Sequence, residues 1–109
     1  MEFKLTGIKN NETYILDVSQ ILYIETIERK VFLYSSNNVY ETPLKLYALE
    51  EQLESQDFFR ASKSSIINLG HMHALKSDID GRLMVTMDND EKLIVSRQYA
   101  SGIKQRLGV

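Results

Sequence analysis

Three places in this 109-residue chain carry side chains suited to holding a polyanion: Arg29-Lys30, the run Arg60-Ala61-Ser62-Lys63-Ser64, and Arg97-Gln98. Arginine and lysine bring positive charge, serine hydroxyls donate and accept hydrogen bonds, and the glutamine amide does both. These are the groups that meet phosphate oxygens and base edges. The middle run is the most constrained of the three. Phe58-Phe59 precede it and Ile66-Ile67 follow it, so an apolar bracket fixes both ends of a short polar loop. Taken singly, each cation reads more readily as a solvated surface residue, and the run itself reads equally well as a helix cap leading into a core strand.

Other chemistry finds less support. His71-x-His73 would place two imidazoles on one face of a strand, but no third ligand stands near and the chain has no cysteine, so no metal or other cofactor is expected. Asp78/Asp80 and Asp88/Asp90 lack the glycine and bidentate glutamate of a calcium loop, and turn chemistry accounts for them. The serines sit in no G-x-S-x-G elbow and the histidines have no motif partner, so the chain is not expected to be an enzyme.

Composition narrows the class further. The formal net charge is −2, which counts against a sequence-independent nucleic-acid binder. Residues 1–56 hold five Lys/Arg against nine Asp/Glu, whereas residues 57–109 hold eight against six, so a DNA surface has to be a local patch. The length suits one domain spanning 1–109. No apolar run approaches the roughly 18 residues of a membrane span, and the absence of cysteine suits a reducing cytoplasm.

The elements that must position these residues read mostly as strands. Residues 1–16 alternate as two strands around a turn at Lys9-Asn10-Asn11. A connector at 17–20, with Val18 tucked inward, holds a single turn. Residues 21–25, 31–34 and 39–42 form a meander whose first hairpin tip is basic. Thr42-Pro43 supplies a hydroxyl N-cap and a proline at the first helical position, with Leu46, Leu49 and Leu53 as the buried stripe and Glu50, Glu51 and Glu54 facing away. An acidic helix of this kind should not face DNA. A second meander follows, with an extended segment from His71 to Lys76, an Asp80-Gly81 turn, a strand at 83–87, a turn at 88–90 and a last strand at 92–95. Ser96 caps a C-terminal helix with Tyr99, Ile103 and Leu107 as its expected inner stripe.

The run Phe58-Phe59-Arg60-x-x-Lys63-Ser64-x-Ile66-Ile67-Asn68 resembles the signature of the LytTR family of bacterial DNA-binding domains. Two further blocks match in order: Ile21-Leu22-Tyr23-Ile24-Glu25, and Ile94-Val95-Ser96-Arg97 with Tyr99 beyond. The likeness runs from about Phe3 to Leu107. It implies a mainly β fold, with small antiparallel sheets in an elongated β-β-β sandwich and short helices at about 43–54 and 97–107. It also implies a transcription regulator that binds double-stranded DNA by sequence, entering successive major grooves with loops.

Carried over position by position, the resemblance makes Lys63 the main base-reading residue. Ser62 stands where the family often has histidine, with Ser64 beside it. Lys30 falls on the hairpin residue that reads the other groove, with Arg29 as its substitute. Arg97 is followed by Gln98 where many members have a second arginine, a departure that gives up charge while keeping an amide suited to adenine. Arg60 fits either an internal pairing or a phosphate clamp, and Asn68 fits hydrogen bonds that hold the fold. The implied partners are DNA with paired half-sites, a second copy of the chain on that DNA, and a response-regulator receiver domain if the chain is a fragment of a two-component protein. A β domain that binds a protein or ligand and has lost DNA affinity is the alternative, motivated by the acidic balance and Gln98.

Overall fold

The computed structural model of the chain describes residues 3–109; residues 1 and 2, the start of the first expected strand, lie outside them. Within that range the order is β1 (Lys4–Lys9), β2 (Glu12–Asp17), β3 (Tyr23–Ile27), β4 (Lys30–Tyr34), β5 (Val39–Thr42), α1 (Leu46–Gln52), β6 (Phe58–Ser62), β7 (Ser65–Asn68), β8 (Met72–Ser77), β9 (Leu83–Met87), β10 (Lys92–Val95) and α2 (Arg97–Leu107). Short 3-10 turns occupy Val18–Gln20, Leu69–His71 and Ile79–Gly81. All pairings are antiparallel. Strands β2-β1-β5-β4-β3-β7-β6 form one sheet and β10-β9-β8 a second.

The chain is mainly β with two sheets and two helices, as the sequence pattern implies. Successive side chains of a strand point to opposite faces, and around β3 and β7 the large sheet is covered on both. Ile21, Ile24 and Ile66 pack with Leu46, Leu49 and Leu53 of the α1 segment on one face. Their chain neighbours Leu22, Tyr23 and Ile67 pack on the other face with Leu83, Val85, Met87 and Val95 of the small sheet and with Ala100 and Ile103 of α2. Burial on both faces is why Ile21-Leu22-Tyr23-Ile24 and Ile66-Ile67 read as continuous apolar stretches rather than as alternating ones.

Three local expectations differ in detail. Helix α1 begins at Leu46 and not at Pro43. Thr42 is the buried last residue of β5, and its Oγ accepts from the Leu44 amide at 3.2 Å, so it terminates a strand before the helix can start. In α2 the buried residues are Ala100 and Ile103, while Leu107 stands 39% exposed at the free end of the helix. His71 ends a 3-10 turn and precedes β8. Its Nε2 lies 2.6 Å from the Ser19 carbonyl and its Nδ1 2.9 Å from Asp88 Oδ2. That side chain therefore joins the two sheets, and exposed His73 does not share its surroundings. Buried Asn68 likewise holds the fold, donating to the Ile21 carbonyl at 2.8 Å and accepting from the Gly70 amide at 2.9 Å.

Candidate nucleic-acid interface

Sheet topology brings the three cationic stretches to one end of the molecule. The β3–β4 hairpin turns at Glu28-Arg29, both with positive φ (51° and 70°), and closes on the pair Ile27 and Lys30. Two left-handed residues in a two-residue turn match the twist of the strands they join. Strand β7 lies antiparallel to β3 with Ser65 opposite Glu25, and the Thr26 amide donates to the Ser64 carbonyl at 2.8 Å. The Lys63-Ser64 turn therefore sits beside the strand that leads into Arg29. On its other side the Ser96 amide donates to the Ala61 carbonyl at 2.8 Å, which seats the start of α2, and so Arg97 and Gln98, against the same loop.

The central turn is rigidly braced. Neither Lys63 nor Ser64 has a positive φ, and the pairing of β6 with β7 absorbs the mismatch as a register shift between Arg60 and Ser62. Arg60 lies behind the turn with each of its three side-chain nitrogens engaged. Nε donates to the Ser62 carbonyl at 2.7 Å, Nη2 to the Lys63 carbonyl at 2.6 Å, and Nη1 to Glu50 Oε1 at 2.6 Å. The Ser62 hydroxyl accepts from the Ser64 amide at 3.2 Å and lies 2.7 Å from the Ser65 hydroxyl. Ser62 and Arg60 thus spend their polar groups on holding the loop, while Lys63 projects into solvent.

Seven of the thirteen cations fall into two sets. Arg60, Arg82 and Arg106 are engaged with Glu50, Asp78 and Asp57. Arg29, Lys30, Lys63 and Arg97 are exposed, and none of these four has an ion-pair partner among the described residues. Arg97 is nonetheless positioned. Its stem crosses Gly81, where a Cβ would stand 3.0 Å from the Arg97 Cγ, and Gly81 has φ +76°.

Arg82 is a residue that sequence reasoning missed. A hollow of about 340 Å³ at this end is lined by Glu25, Ser62, Ser64, Ser65, Arg82, Leu93, Ile94 and Ser96. The pairing of Val95 with Leu83 carries Arg82 alongside Ser96, a juxtaposition that follows only once β9 and β10 are known to pair. Its guanidinium is held loosely, 3.5 Å from Asp78 and 40% exposed. The one carboxylate in the hollow is Glu25. Burial, with Glu91 adding to it, raises its pKa above the ordinary carboxylate range, while a hydrogen bond from Tyr34 opposes the shift. Tyr34 stacks on Tyr23 with ring centroids 4.4 Å apart, and burial and then the Glu91 charge push the Tyr23 phenol up to about 12.

Residues 11–108 match the family described as the LytTr DNA-binding domain. The chain belongs to the LytTR family. This LytTR domain is 32% identical over 105 residues to an uncharacterized HTH-type transcriptional regulator of Staphylococcus aureus strain NCTC 8325 / PS 47, covering 96% of the chain and 71% of the relative. A counterpart in strain MRSA252 is 31% identical over the same length. Among solved structures, the LytTr DNA-binding domain of a putative methyl-accepting/DNA response regulator from Bacillus cereus superposes with a TM-score of 0.91 at 25% identity, covering 97% of both chains. Although those relatives are named for a helix-turn-helix, α1 and α2 of this LytTR domain are separated by five strands. Among the described residues, then, no pair of consecutive helices could place a recognition helix in a groove. The protein is a DNA-binding domain whose exposed cations Arg29, Lys30, Lys63 and Arg97 stand on turns or at the first residue of a strand or helix.

Proposed function

We propose that this domain is the DNA-reading part of a transcription regulator and recognises double-stranded DNA by sequence, with turns rather than a helix entering the major groove. The observation that carries this reading is the convergence of unpaired cations at one end of the large sheet. Turns 28–30 and 62–64 are neighbours through the bond from Thr26 to Ser64, and Arg97-Gln98 adjoins them through the bond from Ser96 to Ala61. A lysine held on a braced turn can present its ammonium to guanine O6 and N7 without a large ordering cost. Lys63 is assigned to base contact in one groove and Lys30, assisted by Arg29, to a neighbouring groove. Arg97 and Gln98 complete the contact from the helix start. Arg60 and Ser62 are assigned to support of the turn within the contact end, and the Ser64 hydroxyl, with Arg82, to the surroundings of a backbone phosphate. Two copies on paired half-sites belong to the same reading, and the names of the staphylococcal relatives support a regulatory role.

The test is selection of bound sequences from a random duplex pool, followed by titration of the enriched site at two salt concentrations. Replacement of Lys63 by alanine is expected to weaken the selected site by about 1–3 kcal/mol and to blur one position of it. Equal affinity and an unchanged selected site would remove Lys63 from the readout. A domain that enriches no sequence, with binding that disappears as salt rises, would overturn the reading as a whole.

A further inference from the structure

On the α1 side of the molecule a groove of about 650 Å³ runs between α1 and the edge strand β6, lined by Tyr47, Glu50, Glu51, Glu54, Phe58, Phe59 and Arg60. Its chemistry is aromatic below and acidic at the rim. Tyr47 is 70% exposed, a large fraction for an aromatic side chain with no partner in the fold's core clusters.

The molecule's own arginines indicate the chemistry that suits this surface. One of its own guanidiniums lines the groove, Arg60 on Glu50 at 2.6 Å, and a second, Arg106, lies outside the lining but over the Phe59 ring at 5.7 Å, with its Nη2 3.0 Å from Asp57. Arg60 takes a carboxylate alone, whereas Arg106 combines a carboxylate with an aromatic face. Glu51 and Glu54 repeat the carboxylate half of that arrangement next to the open Tyr47 ring. Neither has a partner among the described residues. A planar guanidinium suits both halves, pairing in a fork with carboxylate oxygens and stacking on a phenol ring, whereas an ammonium suits only the first. Phosphate-bearing ligands are repelled by the same carboxylates.

We propose that this groove is a docking site for an arginine-bearing segment of a partner protein, seated on Tyr47 and paired with Glu51 and Glu54. The inference rests on the groove's own geometry and does not depend on how the domain reads DNA.

The probe is a short synthetic peptide alternating arginine and alanine, titrated into the isotope-labelled domain and followed by amide chemical shifts, with an otherwise identical lysine peptide beside it. Shifts are expected to saturate and to centre on Tyr47, Glu51, Glu54 and Phe59, with the lysine peptide binding more weakly. The double variant Glu51→Gln/Glu54→Gln is expected to lose affinity about tenfold. These residues are exposed, so folding is retained, and unchanged core resonances of Ile24 and Leu33 verify it. Shifts that centre instead on the acidic turns at 78–80 or 88–91, equal binding of the two peptides, or undiminished binding by the double variant would each overturn the proposal.

Discussion

Replacing Arg60 with lysine separates two roles that charge alone does not distinguish. If Arg60 clamped a phosphate, lysine would keep most of the interaction. The structure places its guanidinium on the Ser62 and Lys63 carbonyls at 2.7 and 2.6 Å and on Glu50 at 2.6 Å, with only 16% of the side chain exposed. Hydrogen bonds from a charged donor contribute about 1.5–3 kcal/mol each when sheltered. Glu50 is 47% exposed, so its pair adds little, about 0–1 kcal/mol. A lysine ammonium reaches one of the two carbonyls at best, and the other regains water in part. Arg60→Lys should therefore lose about 2 kcal/mol of stability in urea unfolding.

The same substitution releases the turn that carries Lys63. Fixing a residue's backbone costs about 1–2 kcal/mol, so DNA that must reorder this turn should bind roughly tenfold more weakly. A second variant, Arg60→Gln, addresses the phosphate directly. The slope of log affinity against log salt should match that of the wild type, because a side chain that neutralised a phosphate would, once removed, make the slope shallower by about 0.9. Wild-type stability and affinity in Arg60→Lys, or a shallower slope in Arg60→Gln, would refute the brace.

Three further substitutions test other parts of the structure. Glu25 has a folded-state pKa raised by burial above its ordinary 4.5, so the folded domain holds that proton more tightly than the unfolded chain and its contribution to stability falls as pH rises through the raised pKa. Glu25→Gln should accordingly be more stable than the wild type in denaturant at about pH 7, with the gap closing towards about pH 4, and the reverse order at neutral pH would contradict the shift. Gly81→Ala should cost about 1–2 kcal/mol for a side chain in left-handed backbone. It should also weaken DNA binding by displacing Arg97, whose Cγ lies 3.0 Å from the added Cβ; a variant equal to wild type in melting and titration would deny that packing. Gly7→Ala would set a Cβ 2.6 Å from that of Tyr40, between β1 and β5. The strain of such overpacking is about 1–3 kcal/mol, visible as a lowered melting temperature with an unchanged DNA site preference.

Much of this architecture is legible in the chain itself, because strands and turns answer to neighbours in sequence. Asn10-Asn11 and Asp80-Gly81 mark turns since those residues tolerate positive φ, which Asn10, Asn11, Asp80 and Gly81 adopt. The leucines 46, 49 and 53 mark α1 by their spacing, and the Phe58 to Asn68 run marks the braced turn. The start of α1 was not legible. Thr42 has the chemistry of a cap, but burial at the end of β5 decides its use. Roles within the contact end were not legible either.

Whether a cation is free or spent depends on partners far along the chain. Arg60 meets Glu50 ten residues back, Arg106 meets Asp57 forty-nine residues back, and Arg82 reaches Ser62 and Ser64 only through the β9–β10 pairing. Local pattern therefore determined which residues are charged, most of the turns and most of the apolar core, but not the exposure of Leu107 or the burial of Thr42. Tertiary packing alone decided that Lys63, Lys30, Arg29 and Arg97 remain unpaired at one end, because electrostatic partnership is a matter of distance in space and sequence spacing does not encode it.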